Sequence, residues 1–207
     1  MTPVPVSNLH NQLLPYLPAV EIPLLNSQII MVARDFFKRT TVLREKFEFP
    51  TVVGVQDYQL NPTYGEVASI MAVWREGRDR PIDPVPEHMR QPIAAGEPTG
   101  WFAMLPNMPS MYPMPDAVYQ MTINAVIRPK RDDTMLPGEV VDQYREELCA
   151  GVLAAMYAMP GKPWTQSQSA KESGRMYAGA IKTIRSTVRD GGQPNQSTFS
   201  PLRRFGK

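Results

Sequence analysis

The 207-residue sequence holds one cysteine and two histidines. A lone cysteine excludes an internal disulfide framework and a zinc cluster built on cysteines. His10 and His88 stand at no i,i+4 spacing to another ligand and no HExxH run occurs, so no metal site is expected. Neither GxxxxGK[ST] nor GxGxxG is present, which removes the loops that cradle phosphate. No apolar run approaches the ~20 residues that cross a bilayer. The start, Met1-Thr2-Pro3-Val4-Pro5-Val6, lacks the basic and apolar regions of a signal peptide. A soluble protein made in the cytosol is expected, with no membrane partner. The net charge of +2 is too small to argue for nucleic acid by itself.

What is abundant is proline, with 22 residues, and methionine, with 13. The proline share is about double the ordinary one. Glycine shows no triplet period, so collagen is excluded. With 43% hydrophobic and 20% charged residues the chain is neither disordered nor coiled-coil in composition, and its length supports a true core.

Proline is kept out of helix interiors and central strands, so proline-free windows mark regular structure. Three are long: 24–49, 138–159 and 164–193. Nine prolines fall between Pro81 and Pro115, and that stretch cannot be helical for any distance.

In the first window Leu25, Ile29, Val32, Phe36, Thr40 and Leu43 recur at helical spacing after Pro23, a good first-turn residue. A helix over about 24–43 is predicted. Ile30 and Phe37 add a second apolar edge, so it should touch more than one neighbour. In the second window Val141, Tyr144, Leu148, Val152, Ala155 and Met159 share a face, with Glu139, Asp142, Glu146 and Glu147 at its positive end. From Leu148 to Met159 the pattern is apolar all round, which means burial all round; a neighbouring subunit is expected to supply part of the cover. Pro160-Gly161-Lys162-Pro163 forces a break, with Thr165 as the expected N-cap of a helix over about 166–190. Ala170, Gly174, Tyr177, Ile181, Ile184 and Val188 form its core face. Lys171, Arg175, Lys182 and Arg189 form a basic stripe about a quarter-turn away, read either as a solvated face or as a DNA-proximal one. So short a connection predicts an antiparallel helical hairpin.

The middle reads as β. Strands are predicted over Lys46–Leu60, with Pro50 and Gly54 marking an edge or bulge, over Glu66–Arg75 before a turn at Glu76–Asp79, over Trp101–Leu105, and over Ala117–Arg128, whose alternation leaves one wet face. The fold class is therefore α+β: a helical domain made of an N-terminal helix and a C-terminal hairpin, with an inserted proline-rich, mainly antiparallel β region and a flexible tail. The expected units are 1–45, 46–135, 136–192 and 193–207.

No catalytic constellation emerges. Cys149 lies mid-way along an apolar helix, where a thiolate is disfavoured, and reads as a core residue. Asp132-Asp133 reads as a solvated turn, without the burial or charged partner that acid/base work requires. No cofactor is implied. The tail, with Phe199, Leu202, Arg203, Arg204, Phe205 and Lys207, combines aromatic and basic residues as a segment that folds on binding does.

Leu148 to Trp164, an Ala-rich helix ending in Met159-Pro160-Gly161-Lys162-Pro163-Trp164, resembles the helix–loop–helix of head-to-tail adaptor (connector) proteins of tailed bacteriophages. Leu13-Leu14-Pro15-Tyr16-Leu17-Pro18 before a helix ending Arg34-Asp35-Phe36-Phe37-Lys38-Arg39-Thr40 is similar too. Val73-Trp74-Arg75-Glu76-Gly77 and Ile127-Arg128-Pro129 are weaker matches, and together these runs span most of 13–190. The 106–115 segment and the residues after Gly192 depart from the pattern.

The resemblance implies a non-enzymatic virion protein of the head–tail neck, assembled in the host bacterial cytoplasm. It implies a homo-oligomeric ring, expected as a dodecamer, beneath the portal protein. Such a ring continues the DNA channel, passes double-stranded DNA without sequence specificity and offers a platform to tail or nozzle proteins. On that reading Leu148, Val152, Met156, Met159, Trp164, Gly174, Tyr177 and Ile181 pack the ring, and Phe199, Leu202, Arg203, Arg204 and Phe205 grip the portal. The alternatives are another neck protein, stopper or tail terminator, and a DNA-binding regulator using the basic face.

Overall fold

A computed structural model describes residues 2–86, 88 and 94–191. Its first element is a short strand, β1 (Pro3–Pro5), followed by 3-10 turns around the four-residue α1 (His10–Leu13). None of these was read from the sequence. Prolines 3, 5 and 15 hide them, because β1 is an edge strand that finds its partner more than 130 residues away. That partner is β8 (Met135–Pro137), paired antiparallel with Val4 opposite Leu136.

The first long helix, α2, spans Ile22–Thr40, three residues short of its predicted end. Thr41 takes the left-handed conformation (φ 58°) and its N–H reaches Phe37 O at 3.0 Å, a C-terminal closure usually made by glycine. Leu25, Ile29, Ala33 and Phe36 are buried along one stripe and Ile30 and Phe37 along another. The helix touches more than one neighbour, as predicted: α2 packs on both helices of the C-terminal hairpin and on the central strand of the main sheet. The buried Thr40 hydroxyl donates to Phe36 O at 2.7 Å, which removes the cost of an unsatisfied polar group.

The main sheet has the order β2 (Arg44–Pro50), β7 (Gln120–Arg128), β3 (Glu66–Arg75), all antiparallel. Strand β3 has its predicted bounds. Strand β2 ends at Pro50, not at Leu60, because Pro50 cannot donate to a ladder and Gly54 turns the chain at φ 75°. The expectation that Pro50 marks an edge strand holds. Strand β7 begins at Gln120 rather than Ala117 and is central, so Ile123, Ala125 and Ile127 are fully buried while Thr122, Asn124 and Arg128 keep partial exposure.

The proline-dense stretch carries more regular pairing than its composition predicts. A second sheet, β4 (Asp83–Pro84), β5 (Gly100–Leu105) and β6 (Met108–Tyr112), has a parallel β4–β5 pair and an antiparallel β5–β6 hairpin. Pro109 is tolerated in β6 because its carbonyl alone is used, accepting the Tyr58 N–H at 2.9 Å. Ile82 N–H to Val73 O at 2.8 Å joins the chain before β4 to β3, and the Asp57–Ser110 bridge ties the chain between β2 and β3 to β6.

The second window forms two helices, not one: α3 (Gly138–Gln143) and α4 (Arg145–Tyr157), broken at Tyr144 (φ −122°, ψ 29°). No proline or glycine marks the break. The Tyr144 ring lies 5.4 Å from that of Phe36, and Arg145 donates to Asn8 O; these tertiary contacts override local helix preference. The last helix, α5 (Ser167–Arg189), falls within one residue of its predicted bounds. Its N-cap is Gln166. Thr165 instead closes the loop, accepting from Lys162 N–H (3.0 Å) and donating to Met159 O (2.5 Å).

The architecture is mixed α and β. Helices α2, α4 and α5 form one body, and the two three-stranded sheets are inserted between α2 and α3 in the chain. An ion cluster joins the body to the main sheet: Glu66 on β3 accepts from Arg34 of α2 (2.8 Å) and Arg128 of β7 (2.8–2.9 Å), and Arg34 also donates to Pro129 O.

Candidate functional site

The residues expected to pack a ring begin with Leu148, Val152 and Met156 on α4. They point into the protomer's own core, with Trp164 and Ile181, and all five are buried there. The helix that is apolar all round is covered by α2 and α5 and, at one corner, by α1. A Cβ at Gly174 would meet the Ala154 Cβ at 3.9 Å, an ordinary contact, so the α4–α5 packing does not require glycine there. Tyr177 donates towards Val32 O (3.3 Å) and Asp35 Oδ2 (3.1 Å), locking α5 to α2. Of the eight, only Met159, Gly174 and Tyr177 keep partial exposure.

The basic residues behave differently. Lys171, Arg175, Lys182 and Arg189 are all exposed along α5. The structure adds two cations that sequence reasoning did not assign. Arg185 falls on the same stripe, three residues after Lys182 and four before Arg189, so helical spacing alone could have found it. Arg39 lies at the end of α2 and joins only through the fold. With Lys182, Arg185 and Arg189 it borders a groove of about 460 Å³ floored by Ala178 and Ile181. Arg39 pairs with Asp35 at 3.1 Å and Arg189 with Asp190 at 3.4 Å, both exposed pairs.

Apolar side chains reach solvent chiefly on the β region. Val52, Val53 and Val55 sit on the turn after β2, which is tied to the 115–119 segment by Gly54 N–H to Pro115 O (3.0 Å) and Thr51 N–H to Tyr119 O (2.8 Å). Val118, 65% exposed, lies on that segment. At the β5–β6 turn Met104 is 84% exposed, with Leu105 and Met108 beside it. The sequence shows these residues as strand-forming and apolar; which of them stay uncovered depends on tertiary pairing that it does not display.

Cys149 is buried, 3.2 Å from Gln12 Oε1. Burial, offset in part by Arg145, pushes its thiol up to about 11, which suits a core residue and not a nucleophile. His10 is hydrogen-bonded to Asn26 at 2.7 Å and His88 is exposed. Asp133 accepts the Lys130 N–H at 2.5 Å within the expected turn. Among the described residues no three His, Cys, Asp or Glu side chains converge as metal ligands, and no helix is long and apolar enough to cross a membrane. Phe199, Leu202, Arg203, Arg204 and Phe205 lie outside the described residues.

The family model described as the SU10 adaptor protein matches residues 6–204. No curated protein matches the chain.

Proposed function

The chain belongs to the SU10 adaptor protein family, and from that premise we propose that it is the ring beneath the portal of a tailed phage. A phage adaptor is a structural component of the virion, and the family is not an enzymatic one. In the proposed assembly, expected as a dodecamer, the ring continues the DNA channel and presents a platform to tail or nozzle proteins. The family match over nearly the whole chain is the observation that carries this reading.

One physical feature supports it. The β region holds Val52, Val53, Val55, Val118, Met104, Leu105 and Met108 in water, and clustered exposed apolar side chains are what an association surface requires. Contacts between successive ring subunits are heterologous. With Leu148, Val152, Met156, Trp164 and Ile181 used inside the protomer, those contacts fall to the β region, to the exposed Met31 and Met176 of the helices, and to the part-exposed Met159, Gly174 and Tyr177.

Residues 193–207 are proposed as the portal grip, through Phe199, Leu202, Arg203, Arg204 and Phe205. Removing them should leave a folded protein that no longer joins portal-containing heads, scored by negative-stain images of the mixture. Normal attachment by the truncated protein refutes the grip. Attachment to completed necks but not to portal would favour a stopper or tail terminator.

A further inference from the structure

We propose that the groove between the C-terminal ends of α2 and α5, with the stripe that leads into it, binds the phosphate backbone of duplex DNA. Helix α5 carries Lys171, Arg175, Lys182, Arg185 and Arg189 against a single acid, Glu172. Four positive charges thus sit on one helix of a chain whose net charge is +2, and the remainder is net negative. The spacings of four, seven, three and four residues keep all five cations on one face over about 27 Å. Arg39 on α2 then supplies a second wall beside Lys182, Arg185 and Arg189.

Like charges three and four residues apart repel. Arg39 and Arg189 are relieved by exposed acids, which do little in water. Among the described residues no acid forms an ion pair with Lys182 or Arg185, the two cations at the middle of the groove. An anion seated there would relieve the repulsion that the chain itself leaves standing.

The form of the site selects the class of anion. An acidic peptide needs apolar anchors to fix its register, but the floor here is Ala178 and an Ile181 only 4% exposed. A straight, long track with a net excess of cations suits a ligand that is itself a continuous line of charge, and duplex DNA carries one per about 1.7 Å of axis. Such contacts carry no base information. The binding stands on these residues alone; that the track faces the channel rests on the adaptor reading.

Fluorescence anisotropy with two labelled duplexes of unrelated sequence, using the full chain at about 50 and about 200 mM salt, tests the inference. Both duplexes should bind equally. The Lys182→Glu/Arg185→Glu double variant should weaken binding at least about tenfold at the lower salt and flatten the salt dependence by about two phosphate contacts. Lys46→Glu, on β2, should change it less than about twofold, and thermal melts should show all variants folded. Unchanged binding by the double variant overturns the inference. So does a clear preference for one duplex, which would mean base readout by a regulator. So does a wild-type protein that ignores DNA yet takes up polyglutamate through Lys182 and Arg185, because the track would then serve an acidic protein. Wild-type protein that joins heads without binding duplex refutes this inference alone; protein that binds duplex but never joins refutes the adaptor reading alone.

Discussion

In the helical body Phe36 and Phe37 are fully buried and meet edge to face at 6.0 Å, whereas at the tip of the β5–β6 hairpin Met104 is 84% exposed. The contrast extends through both regions. Helices α2, α4 and α5 close on one another around Leu148, Val152 and Met156, leaving Met31 and Met176 as their exposed methionines, and the second sheet and the turn after β2 leave valines, leucine and methionines in solvent. A region that buries its apolar surface uses it for stability. A region that leaves it out has it available for another molecule. The two are therefore separable by substitution.

The largest effect should come from Phe36→Ala, which removes a ring contacting Phe37, Tyr144 and Tyr177. Urea denaturation should show a loss of about 3–5 kcal/mol. Gly151→Ala comes next. Its Cβ would fall 2.7 Å from Val32 Cγ1 and 2.8 Å from Tyr177 Cε2, and the overpacking should cost about 1–3 kcal/mol despite alanine's better helix propensity. A stabilised Gly151→Ala protein would show that the α2–α4–α5 junction is looser than described.

Tyr177→Phe deletes the hydroxyl shared by Val32 O and Asp35 and should cost about 1 kcal/mol by thermal melting. Glu66→Gln tests the junction between body and sheet. Burial alone would raise the Glu66 carboxyl, but the hydrogen bonds and charges of Arg34 and Arg128 outweigh it and hold it below the ordinary carboxylate range. The group therefore stabilises the fold above its unfolded-state pKa and loses that contribution as the pH falls through the depressed folded value. Because Glu66 is more than a third exposed, the loss should stay under about 1 kcal/mol. The acid side of the stability curve should be steeper in the wild type than in Glu66→Gln. The smallest effect belongs to the β region: Met104→Ser and Val118→Ser should leave stability within about 0.5 kcal/mol while reducing association with neck proteins. If either unfolds the chain as Phe36→Ala does, the division between body and contact surface is wrong.

Elements governed by local pattern were legible in the sequence. Helix α5 and strand β3 lie where hydrophobic periodicity puts them, and the role of Pro50 follows from its missing N–H. What escaped depends on partners distant in the chain. Strand β1 exists because of Leu136, β6 persists through Pro109 because Tyr58 comes to its carbonyl, and the helix break at Tyr144 answers to Phe36 and Asn8. The basic stripe was visible on α5, but the groove was not, since Arg39 stands more than 140 residues before Lys182. The apolar pattern of α4 predicts burial on every side, yet Ala150, Leu153, Ala154 and Ala155 keep partial exposure. Nor does periodicity say what supplies the cover, which for Leu148, Val152 and Met156 is the same chain.

As an adaptor, this chain should assemble on a portal. Native mass spectrometry of the full chain mixed with the portal protein of the same phage tests that assembly. A closed complex with one copy of this chain per portal subunit is expected, lost when residues 193–207 are removed. A portal that stays bare, or that takes up a lone copy, would contradict it.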